Sequence, residues 1–395
     1  MPSACGTCSN AALSINDVLS IMCILMTRRI LLVVALILAL PVTVQGEEPV
    51  KLKYTRQQIE GKWQARIQSF LDKGEIPLVD LLSFLPRENS GPVIRMTKQV
   101  MDKRAVALIS FAGYEAPQET GSRGHRWDYF PQRLANADPD YFILTTNKGS
   151  NKYWYSQKGG KLHHFVDQLE QQVRGGDYAF IGQIEFRHYP SNAQCKAGRA
   201  AKRNIDIPLN GNNGHRVFRL ATETGVPVAI QLEPEDEPLA ALEEMLAAYP
   251  KAKIILSHFG QIRHPEREKQ FTPALVERLL NTYPNLYYDL STGEPGRYYQ
   301  CEGHKVMDTV IWQADSSGGQ RNTLQVEYKN LLIKYSNRFV VGFDFGAPNR
   351  QSDSYLESRI RNIRLILRDL PASAKHDIGY RNAWFLLTGR SWGQR

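Results

Sequence analysis

The chain has 395 residues, 42% of them hydrophobic, with 18 Tyr, 15 Phe and 6 Trp, and a formal charge of +9. This is globular composition without repeats or low-complexity tracts, which excludes a disordered, collagenous or coiled-coil protein. The charge favours anionic substrates or surfaces. The densest basic stretch, Lys196 to Arg203, lacks interleaved aromatics and any nucleic-acid module, so it reads as a solvated loop and nucleic acid is not an expected partner.

Residues 1–46 stand apart from the rest. Met26-Thr27-Arg28-Arg29 is a short basic segment, followed by the uninterrupted apolar run Ile30 to Leu40. Pro41 and the small outer residues of Val44-Gln45-Gly46 then suit signal-peptidase cleavage before Glu47. Met26 reads as the true start, with Met1 to Leu25 as an upstream extension. The apolar run is short for a membrane span. The expectation is a periplasmic or secreted protein with no stable span after cleavage; an uncleaved anchor is the alternative. Cys5, Cys8 and Cys23 precede Met26, leaving Cys195 and Cys301 in the single domain expected over residues 47–395. In an oxidising compartment these two could form a disulfide; two unpaired thiols remain the alternative.

The first element after Glu47 is a helix capped by Thr55, with Trp63, Ile67 and Phe70 at helical spacing and Gly74 as its stop. Eight short apolar runs follow: 77–82, 105–111, 141–145, 179–185, 226–233, 253–258, 286–291 and 339–344. Helical patterns lie between or after them at 162–173, 215–224, 238–249, 273–281, 323–335, 355–370 and 375–388. Strands this apolar are buried on both faces and therefore parallel. Eight strands alternating with helices predict an α/β fold, a (β/α)8 TIM barrel with an N-terminal helix below it and C-terminal helices at its end. A doubly wound open sheet is the alternative. The stretches 112–139, 186–213 and 292–319 read as long loops on the active face. Cys195 and Cys301, each ten residues past a strand end, would both lie there.

Four strands end on groups that chemistry can use: Glu185, Gln231, His258 and Asp344. A polar group at the end of a buried strand is costly without a partner or a purpose. The ordered set Val228-Ala229-Ile230-Gln231, Ser257-His258-Phe259-Gly260, Tyr288-Asp289-Leu290-Ser291 and Gly342-Phe343-Asp344-Phe345 resembles the amidohydrolase superfamily, in its amidohydrolase-2 branch of barrel hydrolases and decarboxylases. The resemblance covers roughly residues 76–389 and is strongest after Gly225. It implies an Asp-x-His-x-His motif after strand one, where this chain has Asp80-Leu81-Leu82-Ser83-Phe84. It implies a histidine on strand five, where Gln231 stands. Glu185, His258 and Asp344 match the remaining positions.

A catalytic zinc needs about three protein ligands, and neither Leu82 nor Phe84 can supply one. The expectation is no cofactor, or one weakly bound divalent ion on Glu185, His258 and Asp344. By the resemblance, Asp344 would activate water without metal and His258 would polarise a carbonyl, as catalytic residues. Glu185, Arg187 and Gln231 would bind substrate, with Arg187 clamping a carboxylate and Gln231 orienting. Asp80 is expected to hold its loop by backbone hydrogen bonds, and Glu185 to pair with Arg187 or Lys148. His188 could replace a lost ligand. Two readings lead: an exported hydrolase, or related lyase, of a small acid, lactone, ester or amide; and an inactive barrel that binds a small anion. A bare scaffold is the third. The mouth is expected to be acidic around Asp344.

Overall fold

The computed structural model describes residues 50–85, 91–114, 127–150, 154, 165–264, 266–301, 303–317, 319–346 and 350–394. The signal-peptide reading of residues 26–46 lies outside them.

Eight strands follow in chain order: β1 (Leu78–Phe84), β2 (Val106–Tyr114), β3 (Phe142–Ile143, resuming at Asn147–Lys148), β4 (Ile181–Glu185), β5 (Val228–Gln231), β6 (Ile254–Leu256), β7 (Leu286–Asp289) and β8 (Phe339–Val340). Each falls within, or overlaps, one of the eight apolar runs. β1, β2 and β3 pair in parallel, as do β4 through β8. Isolated parallel bridges join these two arcs. Thr145↔Phe180 and Gly149↔Ile184 link β3 to β4, while Asp80↔Val341 and Ser83↔Phe345 link β8 to β1. The ring is therefore complete: an eight-stranded parallel α/β barrel, not an open sheet.

Alternation along each strand sorts the apolar side chains into two layers. Val228, Ile230, Ile254, Leu256, Leu286, Tyr288 and Phe339 point outward and pack with the helices. Ala229, Ile255, Tyr287 and Val340 point inward and fill the barrel floor. Gln231 and Asp289 continue the inward rows at the carboxyl ends. The same period that builds the core thus delivers polar groups to the top.

Helix α1 (Arg56–Leu71) closes the floor. Thr55 and Gln58 form a reciprocal capping box, a device worth about 1 kcal/mol. Ile59, Trp63, Ile67 and Phe70 lie on one face and join the inward layer. Arg66 anchors the helix to the base of β2 by donating from Nε to the Ala107 carbonyl (2.8 Å). The helices after β1 and β2, α2 (Gly91–Lys103) and α3 (Phe130–Ala137), have no counterpart among the expected elements. Gly91-Pro92 and Phe130-Pro131 look like breaks in sequence, yet proline is tolerated in a first helical turn.

Between β3 and β7 the helices are α4 (Phe165–Arg174), α5 (Asn212–Thr224), α6 (Asp236–Ala248) and α7 (Pro273–Thr282), near their expected spans. Helix α8 (Val326–Lys334) starts later than expected, because Gln320–Leu324 pairs as a hairpin with Trp312–Ala314. After α9 (Asp353–Arg368), the expected final helix is interrupted. A π-helical turn at Asp377–Arg381 separates Ala372–His376 from α10 (Asn382–Thr388). Among the described residues no helix is long and apolar enough to cross a membrane.

The loops expected on the active face are only partly irregular. Residues 187–206 form an antiparallel pair, Arg187–His188 with Ile205–Asp206, around two short helices. Tyr298–Cys301 and His304–Met307 form a second hairpin. Cys195 and Cys301 are disulfide-bonded, with Cα atoms 5.6 Å apart, so the open question of free thiols resolves to a bond. Asn192 reinforces the junction: it donates to the Tyr298 carbonyl (3.0 Å) and accepts from the Gln300 N–H.

Candidate active site

A cavity of about 510 Å³ opens at the carboxyl ends of the strands. Glu185 and Gln231, paired in register at the ends of β4 and β5, line it. So do His258, two residues past β6, and Asp344, beyond β8. The four residues singled out at strand ends therefore converge. Asp80 sits deeper. Its Oδ1 accepts from the N–H groups of Leu82 (3.0 Å) and Phe343 (2.8 Å), and its Oδ2 accepts from the Ser83 hydroxyl (2.5 Å). This is the expected loop-holding role, extended across to β8.

Arg187 does not line the cavity, which corrects its assignment as a carboxylate clamp. A bend at Phe186 breaks the alternation that Glu185 would set, so His188 faces the pocket and Arg187 turns away. Its guanidinium donates to Glu235 Oε1 (2.8 Å), Asn204 Oδ1 (2.8 Å) and the Ile205 carbonyl (2.9 Å), and it lies 3.7 Å from the Tyr189 ring centroid. With those donors committed, it holds the base of the excursion instead. Nor does Arg187 or Lys148 form the ion pair on Glu185. Arg203 does, with Nη2 donating to both carboxylate oxygens at 2.7 and 2.9 Å. The basic stretch read as a solvated loop thus ends in a side chain that is only 20% exposed and turned inward.

The expected acidic mouth is not what forms. Among the described residues lining the cavity, Lys148, Arg199, Arg203, Arg263, Arg297 and Arg350 outnumber Glu185, Asp308 and Asp344. Burial alone would raise the Asp344 carboxyl. The His258 ring when protonated, and Arg350, Arg359 and Lys148 as standing charges, oppose it and leave its pKa below the usual value. Arg350 donates to Asp344 Oδ2 at 3.0 Å. Asp344 is therefore an ionised carboxylate at neutral pH. Glu185, wholly buried, is raised by desolvation even against the pull of Arg203 and Lys148.

His258 is held by a chain of three groups. Its Nδ1 lies 2.8 Å from Ser291 Oγ and 3.3 Å from the Ser291 carbonyl, which can only accept. Nδ1 therefore carries the proton. The Ser291 hydroxyl donates in turn to Asp289 Oδ1 (2.5 Å), which also accepts from the N–H groups of His258 (3.0 Å) and Ser291 (2.9 Å). Burial lowers the His258 pKa, so the ring is neutral. Its Nε2 then presents a lone pair, 3.4 Å from the Gln183 amide nitrogen. A ring in this tautomer accepts at Nε2. The expected carbonyl-polarising donor does not fit that geometry.

Backbone strain marks the same places. Five non-glycine residues have positive φ among those described, and three of them are His258 (56°), Phe259 (61°) and Asp344 (51°). Left-handed non-glycine residues cost of order 1 kcal/mol each and persist where surroundings over-determine them. Here the fixing contacts are His258 N–H to Asp289 and Asp344 N–H to the Leu82 carbonyl (2.7 Å). Gly342 makes room for this: a Cβ there would stand 2.9 Å from Asp289 Oδ1.

The donor set does not fit a divalent metal ion. Both Glu185 oxygens face the Arg203 guanidinium, and Asp344 Oδ2 faces Arg350. Among the described residues no three His, Cys, Asp or Glu side chains converge at metal-ligand distance. Leu82 and Phe84 are buried apolar residues of β1. Sequence reasoning passed over Arg203, Arg350, Gln183, Asp289 and Ser291 as site residues. Asp289 carried a usable signal, because alternation from Tyr287 turns it inward.

The amidohydrolase family model matches residues 167–384, more than half of the chain. Among curated proteins none matches. Of solved structures, an assigned amidohydrolase from Staphylococcus aureus is 12% identical, covering 79% of this chain and 99% of its own, with a TM-score of 0.45. A 2,6-dihydroxybenzoate decarboxylase from Rhizobium is 10% identical, covering 79% and 98%, with a TM-score of 0.44. A manganese-bound dihydroxybenzoic acid decarboxylase from Polaromonas is 11% identical, covering 80% and 98%, with a TM-score of 0.43.

Proposed function

This chain belongs to the amidohydrolase family, and from that premise we propose that it is a metal-independent enzyme for a small anionic substrate, hydrolysing an acid derivative such as a lactone, ester or amide. One observation carries the reading: an ionised Asp344 and a neutral His258 share a cavity whose lining has an excess of fixed positive charge. A water between the two can donate one hydrogen bond to the Asp344 carboxylate and the other to His258 Nε2. Its lone pair then faces the substrate carbonyl; Asp344 takes the proton as the C–O bond forms, and returns it to the leaving oxygen or nitrogen as the tetrahedral intermediate collapses and the acyl bond breaks. Lys148 and Arg350 line the same cavity and supply positive charge against the developing oxyanion. Gln231 and Gln183 orient the substrate through their amides.

The proposal includes export. The 26–46 segment and the bond between Cys195 and Cys301 both support it, since structural disulfides persist in oxidising compartments.

Asp344→Asn tests the mechanism in a screen over lactones, esters, amides and carboxylic acids with chelator present. Turnover is expected to fall at least a hundredfold, about 2.7 kcal/mol of barrier. Full turnover by the variant, or activity that chelator removes and divalent metal restores, refutes it. A second reading has its own support: Glu185 and Asp344 are each in an ion pair, as in a pocket that binds an anion without turning it over. Saturable anion binding with no turnover across the screen would select it.

A further inference from the structure

The family implies a divalent cation, and the donors on this barrel do not fit one. A metal in such a site supplies positive charge against the strand-end carboxylates and toward the substrate. The structure holds a protein group in a position to do both. Arg203 grips Glu185 through Nη2, and its Nη1 donates to the Ser150 carbonyl. A guanidinium has five N–H donors. These contacts use three, and Nε is buried without a partner among the described residues. One Nη1 N–H remains on a side chain that lines the cavity.

The placement of Arg203 is built, not incidental. Arg187 holds the next two residues through Asn204 Oδ1 and the Ile205 carbonyl. The 205–206 segment pairs with 187–188, and eight residues before Arg203 the excursion is tied by Cys195 to Cys301. A guanidinium fixed from both sides loses little entropy when it binds an anion.

We infer that Arg203 is the fixed cation of this pocket, standing against Glu185 in place of a divalent ion and receiving an anionic oxygen of the substrate. This rests on the metal-independent reading above and names the residue that supplies its charge. It also gives Arg187 a function as a positioning residue, one layer behind.

The test is isothermal titration of the full domain with orthophosphate at low ionic strength, in EDTA. The wild type is expected to bind one phosphate per chain. Arg203→Gln should weaken binding at least tenfold, about 1.4 kcal/mol. Arg203→Lys should retain part of it, and Arg219→Gln, an exposed control on α5, all of it. Repeating the titration without EDTA and with Mn²⁺ in excess should change nothing. Wild-type affinity in Arg203→Gln overturns the inference. So does phosphate binding that needs Mn²⁺, or no binding by the wild type. Should Arg203→Gln fail to fold, Arg203→Lys and the Mn²⁺ arm still decide. Asp344→Asn separates the two claims: it is expected to bind phosphate at least as tightly as wild type. Retained turnover there sinks the base assignment alone, and unchanged phosphate binding in Arg203→Gln sinks this one alone.

Discussion

Asp80 should make the barrel less stable at neutral pH than at mildly acidic pH. The residue is fully buried at the base of the pocket, and desolvation outweighs its hydrogen bonds from Ser83, Leu82 and Phe343, raising its pKa from 3.8 to about 7. In the unfolded chain the group ionises near pH 4; in the folded barrel it stays protonated until about pH 7. Between those values the folded state binds the extra proton, so stability falls as pH rises, and it levels off above pH 7. Three units at 1.36 kcal/mol each give a cost of about 4 kcal/mol. Asp80→Asn removes the charge and keeps the shape. Its Oδ1 can still accept from Leu82 and Phe343, and its amide can donate to Ser83 Oγ. Urea unfolding followed by the fluorescence of buried Trp63 and Trp384 should show wild type and variant close together near pH 4.5. By pH 8 the variant should be the more stable by about 2–4 kcal/mol. Glu185, Glu233 and Asp289 are raised too, but they are common to both proteins and cancel in the difference. Parallel profiles from pH 4.5 to 8, or a variant weaker at pH 8, would refute the burial argument.

The bond between Cys195 and Cys301 spans 106 residues of sequence. Replacing both cysteines with serine should lower unfolding free energy by about 4–5 kcal/mol through the freed chain entropy. Alkylation of the unreduced wild type should leave Cys195 and Cys301 unmodified; equal stability of the two proteins would contradict this account. Ser291→Ala should cost about 1–2 kcal/mol, because the His258 and Asp289 backbone partners remain while one hydrogen bond to a buried carboxylate is lost. Turnover should fall with it, as the ring loses its 2.8 Å contact and keeps only the Ser291 carbonyl at 3.3 Å to hold Nδ1. An NMR titration in which His258 keeps its wild-type pKa would speak against the three-group chain.

The barrel was legible because its signals are local. Eight apolar runs of strand length each need two buried faces, and alternation within a run fixes which side chains enter the barrel. That period brings Glu185, Gln231 and Asp289 to one mouth before any contact is known. Thr55 announced its helix for the same reason: a cap acts within one turn. The final helix misled, because nothing in 375–388 signals the π-helical turn that splits it.

Partners across the mouth were not legible. Arg187, two residues from Glu185, seemed its natural neighbour, but a bend at Phe186 breaks the alternation and sends it to Glu235, and the excursion returns Arg203 instead. Ser291 reaches His258 only because β6 and β7 lie side by side. The lone pair on His258 Nε2 follows from those Ser291 contacts at Nδ1, which the local sequence does not encode. Which residues are buried depends on short-range periodicity, and the chain alone determined that. The sign and strength of charge at the mouth depend on distance and desolvation between segments far apart in sequence, and only the closed barrel decided those.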